Sequence, residues 1–162
     1  TVVKNEVFNS FLGEEAEMKQ VMQVNTYGGH PVAAAVAVRN IEIMAEEKLV
    51  ERSAEMGAYF MDGLKSLLSH PNVGDVRGKG LLLGLELVKN KKTKEQVASA
   101  HVGAMVGFAK KHGVIIGRSG GGSRHSNTLT FSPPLVITRA EIDRIIDVLG
   151  RGLKEHGAAM SA

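Results

Sequence analysis

The chain has 162 residues, 43% of them apolar, and a formal net charge of +3, enough apolar material for one domain with a packed core. No apolar run approaches the ~18 residues of a membrane span, residues 1–19 carry neither the basic start nor the apolar stretch of a signal peptide, and a chain without cysteine excludes disulfide frameworks and thiolate chemistry and fits a reducing cytoplasm. The basic residues alternate with acids along helix-like stretches, so the surplus reads as a solvated surface and not as a nucleic-acid footprint.

In chain order, Val2 and Val3, followed by Lys4 and Asn5, read as the end of a β-strand. Residues 6–24 hold no period long enough for a helix. The segment NTYGGHP at 25–31 is turn chemistry, and Pro31 suits the first turn of a helix because no amide hydrogen is needed there. The following VAAAVAV is apolar nearly all round with small side chains, which predicts close packing between other elements. From Leu49 the pattern turns one-sided, with Met56, Phe60, Leu64, Leu67 and Leu68 at helical spacing, and Pro71 stops this long helix.

Residues 73–88 carry a hairpin signal with its turn at Gly78-Lys79-Gly80. In its second strand Leu81, Leu83, Leu85 and Leu87 share one face, which should meet a helix layer. Thr93-Lys94-Glu95-Gln96 matches a capping box opening a helix through Val97, His101, Met105 and Phe108 to Gly113. Short strands are expected at 114–116 and 129–131. Thr138 and Glu141 form a second capping box before a helix striped by Ile142, Ile145, Ile146, Leu149 and Leu153. Residues 157–162 read as a frayed tail. The sum is an α+β fold, with helices covering one side of a small, mostly antiparallel sheet.

No local spacing builds a catalytic constellation, and no catalytic residue or metal site is assigned. His30, His70, His101, His112, His125 and His156 are dispersed, as surface or packing histidines are. Three features remain open on residue type alone. The loop at 119–123 is a flexible connector or an anion cradle, although it leads into a strand and lacks a helix dipole. Arg118 and Arg124, which flank it, are solvated cations or bidentate carboxylate ligands. Thr26, in a two-glycine turn before a helix, belongs to a plain turn or to a phosphate contact.

Three stretches in order resemble the class III aminotransferases: NTYGGHP at 25–31 with AAAVAVRNIEIM, VRGKGLLLGLEL at 76–87, and SPPLVIT at 132–138. The resemblance covers residues 25–155 and implies the C-terminal portion of a fold-type-I enzyme that uses pyridoxal 5′-phosphate (PLP) as a homodimer. It implies a remnant of the large cofactor domain and linker at 1–30, a small domain at 31–157 and the tail at 158–162. By the same resemblance Thr26, with Asn25, holds the cofactor phosphate across the dimer. The family's cofactor-linking lysine has no counterpart among the lysines of this chain, which implies that the chain alone is inactive.

Ornithine-type relatives place a carboxylate-binding arginine where this chain has Thr130. Arg118 is similar, with an offset of one residue, to the arginine of pyruvate-dependent omega-transaminases, and the pattern is nearest to taurine–pyruvate enzymes. The expected reaction moves an amino group from an omega-amine or omega-amino acid to a keto acid such as pyruvate, with no nucleic-acid or membrane partner. The rivals are an aminomutase or decarboxylase of the same family and a non-catalytic interaction module.

Overall fold

A computed structural model describes residues 3–21, 25–26, 28–119 and 127–161. The chain divides into two compact units, Thr1–Glu42 and Ile43–Ala162. The first unit opens with helix α1, Asn5–Asn9, whose N-cap is Lys4, so Val3 to Asn5 are not a strand end as the sequence suggests; Thr1 and Val2 lie outside the described residues. A 3-10 turn, Glu15–Glu17, follows; the stretch expected to hold no helix thus carries the short α1, while residues 22–24 lie outside the described residues.

Helix α2 spans Pro31–Glu46, beginning at the expected proline. Its environment differs from expectation. No residue of α2 is buried, and Val32, Val36, Val38 and Ile41 are each more than half exposed. The apolar surface that predicts close packing is bare here. The helix also ends sooner than the pattern suggests. Lys48 takes a left-handed conformation (φ 50°, ψ 44°) and separates α2 from α3, Leu49–Ser66, so the single long helix is two. Nothing in a lysine marks such a break, because this conformation favours glycine or asparagine.

In the second unit, β1 (Val73–Lys79) pairs antiparallel with β2 (Leu82–Asn90). Lys79 faces Leu82, so the turn is the two residues Gly80 and Leu81, one step beyond the predicted centre, and Gly80 has φ +56°. A positive φ at the first of two turn residues is the demand of a type II′ hairpin, which glycine meets without strain. The leucine face holds as predicted: Leu81, Leu83, Leu85 and Leu87 are buried while Leu82 is 70% exposed.

The predicted helix start at Thr93 is a turn instead. The Asn90 carboxamide accepts the amides of Lys92 and Thr93 at 2.8 and 3.2 Å, an Asx-type turn that competes with helix. Lys94 follows with φ +58°, and β3, Glu95–Gln96, runs back against β2. Helix α4 therefore begins only at Ser99 and runs to Lys111, with no side-chain cap at Ala98. Gly113, at φ +77°, ends it as expected.

The strand expected at 114–116 forms two residues later. Val114 N–H still bonds back to Ala109 of α4 at 2.9 Å, so β4 is Gly117–Arg118, paired with β5, Thr128–Phe131. The glycine-rich segment 120–126, with Arg124 and His125, lies outside the described residues. The sheet order is β1-β2-β5-β4, with β3 on β2, and every pairing is antiparallel.

Helix α5, Arg139–Ser161, opens on the predicted capping box: Thr138 N–H donates to Glu141 Oε2 (2.8 Å), and Glu141 N–H donates to Thr138 Oγ1 (3.3 Å). The expected frayed tail is instead helical as far as Ser161. Met160 is buried, and Ser161 Oγ accepts Asn72 Nδ2 at 3.1 Å. Helices α3, α4 and α5 cover the leucine face, packing Phe60, Leu64, Met105, Leu149 and Leu153 with Leu85 and Leu87 into one core. Each such side chain contributes about 1.5–3 kcal/mol by leaving water.

Candidate functional site

In the first unit, the turn before α2 is closed by Gly28 N–H donating to Asn25 O at 2.9 Å. Gly29 follows at φ +74°, with nothing within 4 Å of where a Cβ would stand. Asn25 and Thr26 are exposed; Tyr27 lies outside the described residues. The first-turn amides of α2 have no acceptor within the helix, and Pro31 contributes none. A threonine hydroxyl, an unobstructed glycine and the N-terminus of a 16-residue helix form a donor set that fits a dianionic phosphate.

In the second unit an apolar cleft opens between residues 113–117 and 130–138, with Phe60 at its floor and Glu141, Arg144 and Ile145 along one side. Thr130 and Gly117 stand opposite each other in the β4–β5 ladder. Thr130 Oγ1 lies 2.6 Å from where a Cβ at Gly117 would be, so a side chain at 117 would force that hydroxyl to turn away. Arg118 stands opposite Leu129 in the same ladder, and successive strand residues face opposite ways. Its side chain accordingly lies on the helix side of the sheet, where Nη1 meets Ser99 Oγ at 3.4 Å. Arg118 is exposed, makes no ion pair among the described residues and is not a lining residue of the cleft. Asn25 and Thr26 therefore share one turn, whereas Arg118 belongs to the other unit.

Two arginines to which the sequence assigns no role each tie distant segments of the second unit together. On the face of the sheet away from the helices, Arg77 Nη1 bonds Asp75 Oδ2 (2.8 Å) and Glu86 Oε2 (2.6 Å), and Nη2 donates to Thr128 Oγ1 (3.3 Å). These bonds, to Asp75 first and Glu86 second, raise the arginine's pKa above its ordinary value, so its charge is permanent. Arg52, on α3, donates from Nε to Leu135 O (3.2 Å) and from Nη2 to Val136 O (3.4 Å) and Ile137 O (2.8 Å). The motif VRGKG draws attention to Arg77, but no local signal marks Arg52 as more than a surface charge. Among the described residues no group of three or more histidine or acidic side chains could hold a metal ion.

The sequence profile of the family "Aminotransferase class-III" matches residues 1–153. The taurine–pyruvate aminotransferase of Bilophila wadsworthia is 44% identical over 149 residues, which are 90% of this chain and 33% of that protein. Among solved structures, a Bacillus anthracis aminotransferase superposes with a TM-score of 0.84 at 42% identity, covering 94% of this chain and 34% of that one. The omega-transaminase of Pseudomonas jessenii, solved in complex with PMP, gives 0.76 at 32% identity over 90% of this chain and 31% of its own. The chain spans about a third of the length of the curated relatives it matches.

Proposed function

The chain belongs to the class III aminotransferase family, and from that membership we propose that it is the C-terminal third of a PLP-dependent transaminase that moves an amino group from an omega-amine or omega-amino acid to a keto acid such as pyruvate. The observation that carries this choice within the family is position 130. A threonine on the cleft wall offers a hydroxyl where ornithine-type relatives resemble one another in an arginine, so the α-carboxylate grip of those enzymes is missing. The 44% identity to a taurine–pyruvate enzyme supports the same reading.

When bound, PLP supplies an electron sink for the substrate's breaking C–H bond. The residues of this chain bind and orient. The Thr26 hydroxyl would donate to a cofactor phosphate oxygen, assisted by the amide of Asn25 or of Thr26, and in a homodimer that phosphate would be the partner's. Arg118, which among the described residues meets Ser99 Oγ at 3.4 Å and forms no ion pair, offers its guanidinium fork to a substrate carboxylate. No lysine of this chain matches the context of the family's cofactor-linking lysine, so the 162-residue chain alone is expected to be inactive. A cytoplasmic setting accords with the lack of cysteine, and among the described residues no helix is long and apolar enough to cross a membrane.

The test is Thr26→Ala in a full-length protein containing this sequence. PLP retention during dialysis, followed by absorbance, should fall by roughly the tenfold or more that a lost charge-assisted hydrogen bond implies. Unchanged PLP affinity would sink the assignment. Alanine formation that depends on added pyruvate separates a transaminase from an aminomutase or decarboxylase.

A further inference from the structure

Residues 132–138 form a wall of the apolar cleft without a helix or strand of their own. Pro133 and Pro134 have no amide hydrogen to give, and the segment's one internal bond is Ile137 N–H to Pro134 O at 3.0 Å. The proline rings fix their own φ angles, but they leave the carbonyls that follow to be held from outside. The next three carbonyls, of Leu135, Val136 and Ile137, all turn to the guanidinium of Arg52 at 2.8–3.4 Å. Arg52 in turn rides on α3, which is anchored by buried Leu49, Met56 and Phe60. A planar fork with several donors can hold three carbonyls at once, whereas a lysine ammonium on a flexible stem is a point charge. Val136 remains 55% exposed and is a lining residue of the cleft, so a small shift of this backbone changes the width of the opening.

We propose that Arg52 is a positioning residue: by holding the carbonyls of residues 135–137 it sets the cleft wall at Pro134 and Val136, and thereby the bulk of the amine donor that the cleft accepts. The inference rests on the transaminase reading for its ligand class. The recognised group is the apolar side group of a primary amine, since the part of the wall that Arg52 sets presents Pro134, Val136 and Ile137, while the charged Glu141 and Arg144 come from α5.

The experiment uses the full-length holoenzyme and its Arg52→Gln and Arg52→Lys variants, with pyruvate as acceptor and two donors, a short aliphatic amine and an aryl-substituted amine. The preference between the donors, as the ratio of kcat/KM, should shift about tenfold, the size of a methylene-scale change in a pocket. The shift should lie in KM for the bulky donor, with kcat for the small donor held. Arg52→Lys should behave like Arg52→Gln because charge without the fork does not hold three carbonyls. Equal losses for both donors that follow a fall in Tm would show a merely structural role and overturn the proposal, as would an unchanged ratio. Hydrogen exchange at the Ile137 amide of the 162-residue chain reads the clamp without turnover and should quicken in Arg52→Gln; unchanged exchange overturns the proposal as well. A wild-type protein that transaminates no amine, yet shows the faster Ile137 exchange on mutation, refutes the transaminase reading and leaves the clamp standing.

Discussion

Replacing Gly57 by alanine tests how closely α3 approaches the hairpin. Gly57 is buried on α3, and a methyl group there would stand 2.3 Å from the carbonyl carbon and oxygen of Gly80 and 2.6 Å from its Cα. These are backbone atoms of a tight turn and cannot rotate away, so the hairpin tip must withdraw by roughly 1.2–1.7 Å to restore ordinary contact. Such overpacking costs about 1–3 kcal/mol, and the upper end applies where backbone has to move. Alanine returns about 1 kcal/mol through helix propensity. The net expectation is a loss of about 2 kcal/mol, or roughly 5–10 °C in Tm for a unit of this size. Gly107→Ala is the control. It lies exposed on α4 with nothing within 4 Å of the added methyl, so the same substitution should stabilise by about 0.5–1 kcal/mol. Thermal unfolding followed by circular dichroism measures both. A Gly57→Ala protein that gains Tm alongside Gly107→Ala would refute the close approach of α3 to the turn.

Two further predictions concern pH. Glu141 is held below the usual carboxylate range by the amide of Thr138 first and its hydroxyl second, so its contribution is present above the ordinary glutamate range and is lost as pH falls through the lowered folded value. The Tm gap between wild type and Glu141→Gln should therefore close on acidification; a gap independent of pH would contradict the capping-box account. His70 is shifted the other way round. Burial, then Lys91, lowers its pKa, partly offset by a hydrogen bond to the Leu153 backbone, and its Nδ1 accepts the Asn72 amide at 3.2 Å. The unfolded chain thus takes up the proton first, and stability declines as pH drops below the ordinary histidine value of 6.5. His70→Gln should flatten the Tm profile between about pH 7 and 5, and an unaltered slope would assign that dependence to another group.

Legibility from sequence followed the range of each determinant. The α5 capping box spans three residues, the leucine face of β2 is a period of two, and the start of α2 is one proline after a glycine turn; all three stand where their local chemistry puts them. Thr93 fails by the same logic. Its S/T-x-x-E/Q-like pattern is outcompeted by Asn90, whose side chain accepts the amides of Lys92 and Thr93 and turns the chain into β3. The bare apolar face of α2 shows another limit: composition predicts that such a surface is covered, but not by what.

For the candidate site, the sequence by itself determined residue types and family: Thr26 in a glycine turn before a helix, Thr130 in place of an arginine, and three ordered motifs. Tertiary structure alone decided that Arg118 leaves β4 toward α4 while Thr130 faces the cleft, that the α5 terminus docks on Asn72, and that Arg52 gathers carbonyls 83–85 residues away. The reason is physical. Face and cap signals arise between neighbours a few bonds apart, whereas a guanidinium meeting distant carbonyls, or two glycines meeting across a helix and a turn, depends on how finished elements pack, and no local pattern carries that information.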